Sequence, residues 1–373
     1  MAERLIGLMS GTSLDGVDGV LALVEGDGRL TVHHHASRPF EPALRAELLA
    51  LNTPGPDELH RAALAANGVA RAYAQVVHQL LQDAGLGPGA VAALGAHGQT
   101  VRHQPLAVDG VGYTVQLLNA PLLAELAGIP VVADLRSRDL AAGGQGAPLV
   151  PPFHRAQFGQ PDATLAVLNL GGISNLSVLP PDGSPAAVLG FDCGPGNALL
   201  DLWCQRHRGQ PYDADGAWAA GGRVQAPLLA ALRAEPYFVL PPPKSTGRDL
   251  FHAGWLDRHL AGFPGLAPAD VQATLAALTA GVCVDDVRRH APGAARLVVC
   301  GGGALNGDLM RRLQAGLPAL RVESSAALGL PPQQVEAAAF AWLAWRRLQG
   351  LPGSLASVTG ARGERVLGAL HAA

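Results

Sequence analysis

The chain has 373 residues, 49% hydrophobic and 15% charged, which excludes a disordered, charge-rich polypeptide and points to two or three domains. Lys and Arg total 27 against 30 Asp and Glu, a net charge of -3 with no basic run, which argues against a nucleic-acid partner. Lys244 is the only lysine in a sequence rich in Ala, Gly and Pro, a bias of composition.

In chain order, the N-terminus is not a signal peptide, because its short apolar run breaks at Ser10 and Gly11. Arg4 to Met9, Val17 to Val24 and Leu30 to His35 read as strands, separated by the turns SGTSLDG and EGDG. Helical patterns follow over Glu41 to Leu51 and over Pro56 to Ala84. Val91 to Ala96 is a buried strand running into His97-Gly98-Gln99-Thr100. Asn119 to Leu126 is a helix, and Ile129 to Ala133 is a strand ending at Asp134.

The same opening recurs about 160 residues further on. Ala163 to Leu170, Asn175 to Leu179 and Ala187 to Phe191 are strands, joined by the Gly171-Gly172 turn and by PPDG. Helices then span Asn197 to His207 and Pro268 to His290. Strand Arg296 to Cys300 enters Gly301-Gly302-Gly303, and strand Leu320 to Val322 precedes a helix over Gln333 to Leu348. Two such halves describe an α/β chain of the duplicated actin/hexokinase/Hsp70-like (ribonuclease H-like) fold, two-lobed, with ATP in the interlobe cleft. The lobes are placed at 1–133, completed by the tail from about 351 to 373, and at 134–350. Ala273 to Val284 and Val335 to Trp345 are too short to span a bilayer, so a cytoplasmic protein with no membrane partner is expected. Cys193, Cys204, Cys283 and Cys300 form no CxxC and read as reduced thiols.

Several turns hold residue types suited to phosphate. Gly11, Thr12, Ser13, Leu14, Asp15, Gly16, Val17 and Asp18 offer backbone N–H groups and hydroxyls, and Asp15 and Asp18 could orient Mg²⁺-bound water. The same composition also suits an ordinary polar hairpin turn. Gly171 and Gly172 make a second such turn, and Gly301, Gly302 and Gly303 a third, ahead of a helix. Each alone is equally a tight crossover; three at strand ends strain that reading. Asp192, in FDCGPGN, ends a buried strand, where partial desolvation favours a general base, while Asn197 suits the cap of the next helix. Lys244 beside Ser245, Thr246 and Arg248 fits either phosphate contact or a loop pinned by a surface ion pair. His33 and His35 share a strand face without further ligands at metal spacing. Trp342 and Trp345 read as core or interface residues, and Glu336 as a sugar ligand or a helix-start carboxylate.

GLMSGTSLDGVD, AHGQT, ADLRSRDLAAGGQGAPLVP, NLGGISN, FDCGPGN, PPPKSTGRDLF and CGGGALN resemble, in that order, the motifs of the anhydro-N-acetylmuramic acid kinase family, as does QVEAAAFAWLA. The resemblance implies an ATP- and Mg²⁺-using enzyme of cell-wall recycling, a homodimer acting on a small amino sugar. It opens 1,6-anhydro-N-acetylmuramic acid with water and phosphorylates O6. Carried over by motif, Gly11 to Asp18, Asn169, Gly171, Gly172, Asn175, Gly301, Gly302, Gly303 and Asn306 line the nucleotide. Asp192 is the catalytic aspartate, and His97, Gln99, Arg136 and Glu336 lie near the sugar. Where the family usually has Thr, this chain has Cys193, a weaker hydrogen-bond donor beside the aspartate.

Overall fold

A computed structural model describes residues 2–247 and 250–373, so Arg248 of the Lys244 motif lies outside the described residues. The chain forms two compact units, one of residues up to Gln157 together with Gln334–Ala373, the other Phe158–Gln333.

In the first unit, β1 (Glu3–Met9), β2 (Gly16–Val24) and β3 (Leu30–Pro39) form an antiparallel meander. The chain returns as β4 (Ala93–Ala96), parallel to β1. It then makes a separate two-stranded hairpin, β5 (Gln99–Pro105) and β6 (Gly112–Leu117), before β7 (Val131–Ala133) pairs parallel with β4. The order is β3-β2-β1-β4-β7. In the second unit, β8 (Thr164–Leu170), β9 (Ile173–Leu179), β10 (Leu189–Pro195), β11 (Ala294–Cys300) and β12 (Arg321–Ser324) give β10-β9-β8-β11-β12. Strand directions match as well: a three-stranded meander, then two parallel additions. The repeat seen in the sequence is therefore one topology used twice. Finally β13 (Ala369–His371) pairs with β7, which brings the tail into the first unit.

The unit boundaries fall at 157/158 and 333/334 rather than near 133 and 350. Residues after Ala133 stay with the first unit because Arg136 bonds His97 and Asp139 Oδ1 accepts from the Thr359 hydroxyl at 2.8 Å. The Val335–Leu348 helix stays there because it packs on β1 and β4.

Alternation along β1 explains that packing. Ile6 and Leu8 point into a core with Val69, Tyr73, Val77 and Leu80 of the Glu58–Ala84 helix. Gly7 faces the opposite way, and a Cβ there would sit 1.9 Å from the Ala337 carbonyl oxygen. Gly95, its register partner on β4, would meet the Phe340 carbonyl oxygen at 1.9 Å. The two glycines make a flat patch on which the alanine-rich helix seats backbone to backbone. In the second unit, Leu168, Leu170, Leu297 and Val299 form the core with the Ala198–Arg208 and Pro268–His290 helices. Cys193, Cys204, Cys283 and Cys300 are buried, and none of them is in a disulfide. Among the described residues no helix is long and apolar enough to cross a membrane.

His154, on the Pro151–Phe158 helix, is fully buried, and burial pushes its pKa down to about 3. Its folded value lies below its unfolded value, so the unfolded chain binds the extra proton. Stability is therefore full above about pH 6.5 and falls as pH drops toward 3, by about 1.4 kcal/mol per pH unit for this group. Urea midpoints measured from pH 7 to 5 should fall, and His154→Leu should flatten the slope by one proton. An unchanged slope in that variant would remove His154 as the cause.

Candidate functional site

In the first unit, the turn after β1 is tied to the segment after β4. The Ser10 hydroxyl donates to the Gly98 carbonyl at 3.0 Å and lies 2.8 Å from the Tyr73 hydroxyl. The Gln99 side-chain amide donates to Gly11 O at 3.0 Å. Leu14, held at φ 59° with its side chain in the core, folds its N–H back on Gly11 O. Val17 is likewise buried, so it and Leu14 have only backbone to offer a ligand. Thr12 and Asp15 are exposed.

His97 is buried, and Arg136 donates to its Nε2 from Nε at 3.1 Å and from a terminal nitrogen at 2.9 Å. An acceptor at Nε2 fixes the tautomer with hydrogen on Nδ1, which faces Ser10 O at 3.3 Å. Burial first, then the Arg136 charge, hold the imidazole pKa well below its ordinary value, so the ring is neutral. His103 is pushed down to about 4 by burial and then by Arg136. Phe340 packs its ring 4.8 Å from that of His97. Glu336 lies one turn earlier on the same helix and so on the same face, half-buried. The structure therefore gathers His97, Gln99 and Arg136, and sets Glu336 one helical turn from the Phe340 ring that packs on His97. Gln99 is fully buried, and its Oε1 has no hydrogen-bond partner among the described residues.

The fit of Asp15 and Asp18 to Mg²⁺ is narrower. Asp18 Oδ1 lies 3.4 Å from His35 Nε2 and is half-exposed, an oxygen donor of the hard kind Mg²⁺ takes. Among the described residues no three His, Cys, Asp or Glu side chains cluster as metal ligands. Such a pair suits an ion that keeps its waters and takes most remaining ligands from phosphate.

In the second unit, strand register aligns the polar residues. Asn169 on β8 opposes Asn175 on β9, and Asn175 opposes Asp192 on β10. Directly opposed residues share a face, so the three side chains form one row across adjacent strands. Asn175 Oδ1 is buried with no hydrogen-bond partner among the described residues. The turns converge at one end of that row. Gly171 O accepts from Asn197 N at 2.8 Å, and Gly172 O from Gly196 N at 3.0 Å. Gly301 has φ 77°, and a Cβ on it would lie 2.4 Å from Asn169 Oδ1; one on Gly303 would meet Leu170 Cβ at 2.5 Å. Only glycine permits this approach. Gly302 stays exposed. Asn306 spends its Oδ1 on the N–H of Leu309, capping the Gly307–Gly316 helix. Asn197, expected as a cap, instead donates its side-chain amide to Leu170 O at 2.9 Å.

Asp192 lies within β10, at a register shift before Gly194, and is half-buried. Its Oδ2 accepts from Thr246 N at 3.0 Å, its N–H donates to Lys244 O at 3.1 Å, and its carbonyl accepts from the Tyr237 hydroxyl at 2.7 Å. Cys193 points the other way, toward Cys283 and Asp286, where burial pushes its thiol pKa up. Its sulfur thus serves the core, and the weaker thiol donor is directed away from the carboxylate. Lys244 is neither a phosphate-facing cation nor part of a surface pair. It is buried, with Nζ 3.6 Å from the equally buried Asp286. Tyr237 and Asp286 were not singled out in the sequence, and Thr246 was read there only beside Lys244, not as a partner of Asp192. The one signal was a charged pair, Asp285-Asp286, interrupting an apolar helix.

A family model described as anhydro-N-acetylmuramic acid kinase matches residues 3–373. The anhydro-N-acetylmuramic acid kinase of Variovorax paradoxus is 64% identical over 373 residues, covering 100% of this chain and 99% of that protein. That of Albidiferax ferrireducens is 62% identical over 390 residues, with 100% of both covered. Component A of (R)-2-hydroxyglutaryl-CoA dehydratase from Acidaminococcus fermentans, 14% identical with a TM-score of 0.50, aligns over 93% of this chain and 99% of that one. That likeness concerns the fold alone, which is the duplicated α/β fold of the actin/hexokinase/Hsp70 kind.

Proposed function

The chain belongs to the anhydro-N-acetylmuramic acid kinase family, and on that premise we propose that Asp192 is the general base of its reaction. The enzyme takes 1,6-anhydro-N-acetylmuramic acid, ATP and water to N-acetylmuramic acid 6-phosphate and ADP, in cell-wall recycling. The observation that carries the assignment is the Asp192 carboxylate, half-buried, fixed by the Thr246 N–H and aligned with Asn175 and Asn169.

The substrate is a bicyclic acetal in which O6 is tied to C1. Asp192 takes a proton from water as the water oxygen bonds to C1. The C1–O6 bond breaks, and O6 bonds to the γ-phosphorus while ADP departs. This is half of an inverting glycosidase, with phosphoryl capture in place of protonation of the leaving oxygen. The turns at Gly11 to Asp18, Gly171 and Gly172, and Gly301 to Gly303 hold phosphate oxygens through backbone N–H groups other than those of Leu14 and Gly301, which are donated to Gly11 O and Pro332 O, and their glycines permit close approach. Asn169 and Asn175 add amide donors, and Asn306 shapes the third turn by capping its helix. Asp18 and Asp15 would hold the waters of a Mg²⁺ ion bound with the nucleotide, which would supply neutralisation of phosphate charge. His97, Gln99, Arg136 and Glu336 bind the amino sugar. Gln99 supports this reading through its unsatisfied buried oxygen, and neutral His97 through a tautomer fixed from both sides. We place the reaction in the cytoplasm, where ATP is supplied, and the enzyme as a homodimer.

A coupled assay of ADP release with Mg²⁺-ATP tests the substrate. Release that depends on the anhydro sugar, and not on N-acetylmuramic acid, is the expected result. Equal stimulation by the open sugar would instead identify a kinase acting on a plain hydroxyl.

A further inference from the structure

We infer that Lys244 is a positioning residue for Asp192, acting through a buried ion pair with Asp286. The inference rests on the reading of Asp192 as the base. The segment carrying Lys244 bonds Asp192 twice: Lys244 O receives its N–H at 3.1 Å, and Thr246 N donates to its Oδ2 at 3.0 Å. That segment lies outside any helix or strand and follows three prolines, so no ladder of backbone bonds fixes its height against β10.

Lys244 supplies the fixing point. Its side chain is 3% exposed and Asp286 is 4% exposed, too little for either to bind nucleotide or sugar directly. Nζ reaches Asp286 Oδ2 at 3.6 Å and donates to Phe238 O at 3.5 Å. It also lies over two rings, Tyr237 at 5.0 Å and Phe191 at 5.5 Å from their centroids. Both rings belong to the same frame. Phe191 precedes Asp192, and the Tyr237 hydroxyl donates to Asp192 O at 2.7 Å. The ammonium is thus the hub of a cage whose walls are the residues that hold Asp192.

Around Asp286 stand Cys193, His290 and Arg289. Burial raises the Asp286 pKa, and Lys244 is the largest influence opposing that rise. A buried charge left without its partner is strongly disfavoured, so removing either member releases the other toward water. The segment would shift with it. The Thr246 N–H would then leave the carboxylate, and a small misplacement of a catalytic group costs rate steeply.

Two measurements on Lys244→Met decide the matter. Amide exchange followed by mass spectrometry should be at least tenfold faster at Asp192 and Thr246 than in the unaltered protein. The sugar-dependent kcat should fall at least about 20-fold per nucleotide-binding site, with KM for ATP within about twofold. Lys244→Arg, which keeps the charge, should recover most of the rate. Should Lys244→Met not fold, Asp286→Asn removes the same ion pair and reads the same two quantities. Unchanged exchange, or a rate loss matched by lost nucleotide-binding stoichiometry, overturns the assignment. Unaltered enzyme that ignores the anhydro sugar overturns the functional reading instead, and the exchange arm still tests whether Lys244 fixes Asp192.

Discussion

Asp192→Asn should lower the sugar-dependent kcat by about 10³-fold, within the range assigned to a positioned general base. The substitution is chosen because the asparagine oxygen can still accept the Thr246 N–H, and the residue's own N–H and carbonyl keep their bonds to Lys244 and Tyr237. Geometry is retained and basicity is removed. KM for ATP should therefore change little, since no phosphate-binding turn is altered. A variant that keeps more than a tenth of the rate would show that another group takes the proton from water. One that loses nucleotide binding as well would show that Asp192 holds the row with Asn175 and Asn169 together.

The second large effect is structural. Gly95→Val should destabilise the first unit by about 4 kcal/mol or more, at the upper end of what overpacking does. A Cβ at Gly95 meets the Phe340 carbonyl oxygen at 1.9 Å, the Phe340 carbonyl carbon at 2.7 Å and Ala344 Cβ at 3.0 Å. The first two obstacles are helix backbone, which cannot rotate away as a side chain can. Valine then adds two methyl groups to the same gap. Gly89 is the control: a Cβ there meets nothing within 4 Å, so Gly89→Ala should leave the urea midpoint nearly unchanged. A Gly95→Val protein within about 1 kcal/mol of the parent would mean the helix lifts from β1 and β4 at little cost.

What was legible in the sequence followed from local physics. The two meanders were readable because most of their strands are apolar runs closed by turns of small polar residues, although the polar end of β3, His33 to Pro39, was read only as far as His35. The Pro268–His290 helix was read to its ends, with proline opening it and Arg288, Arg289 and His290 closing it. The β5–β6 hairpin was missed, because QTVRHQP carries no alternation of apolar and polar residues. The unit boundaries were misplaced for a different reason. Gly7 and Gly95 announce that something comes close, but nothing local says it is a helix from the far end of the chain. For the site, the motifs named candidate residues, and strand register supplied the row of Asn169, Asn175 and Asp192. Lys244 stayed ambiguous because its partner Asp286 sits on a separate helix, and burial of both is a property of the assembled unit.

The second unit is one uninterrupted stretch of chain, whereas the first is split around it. On the ribosome this inverts the usual order of maturation. Phe158–Gln333 has emerged in full while β1 and β4 still lack the helix that covers their glycine face. Strands made before the second unit are thus finished only after it, their flat patch waiting for the Val335–Leu348 helix.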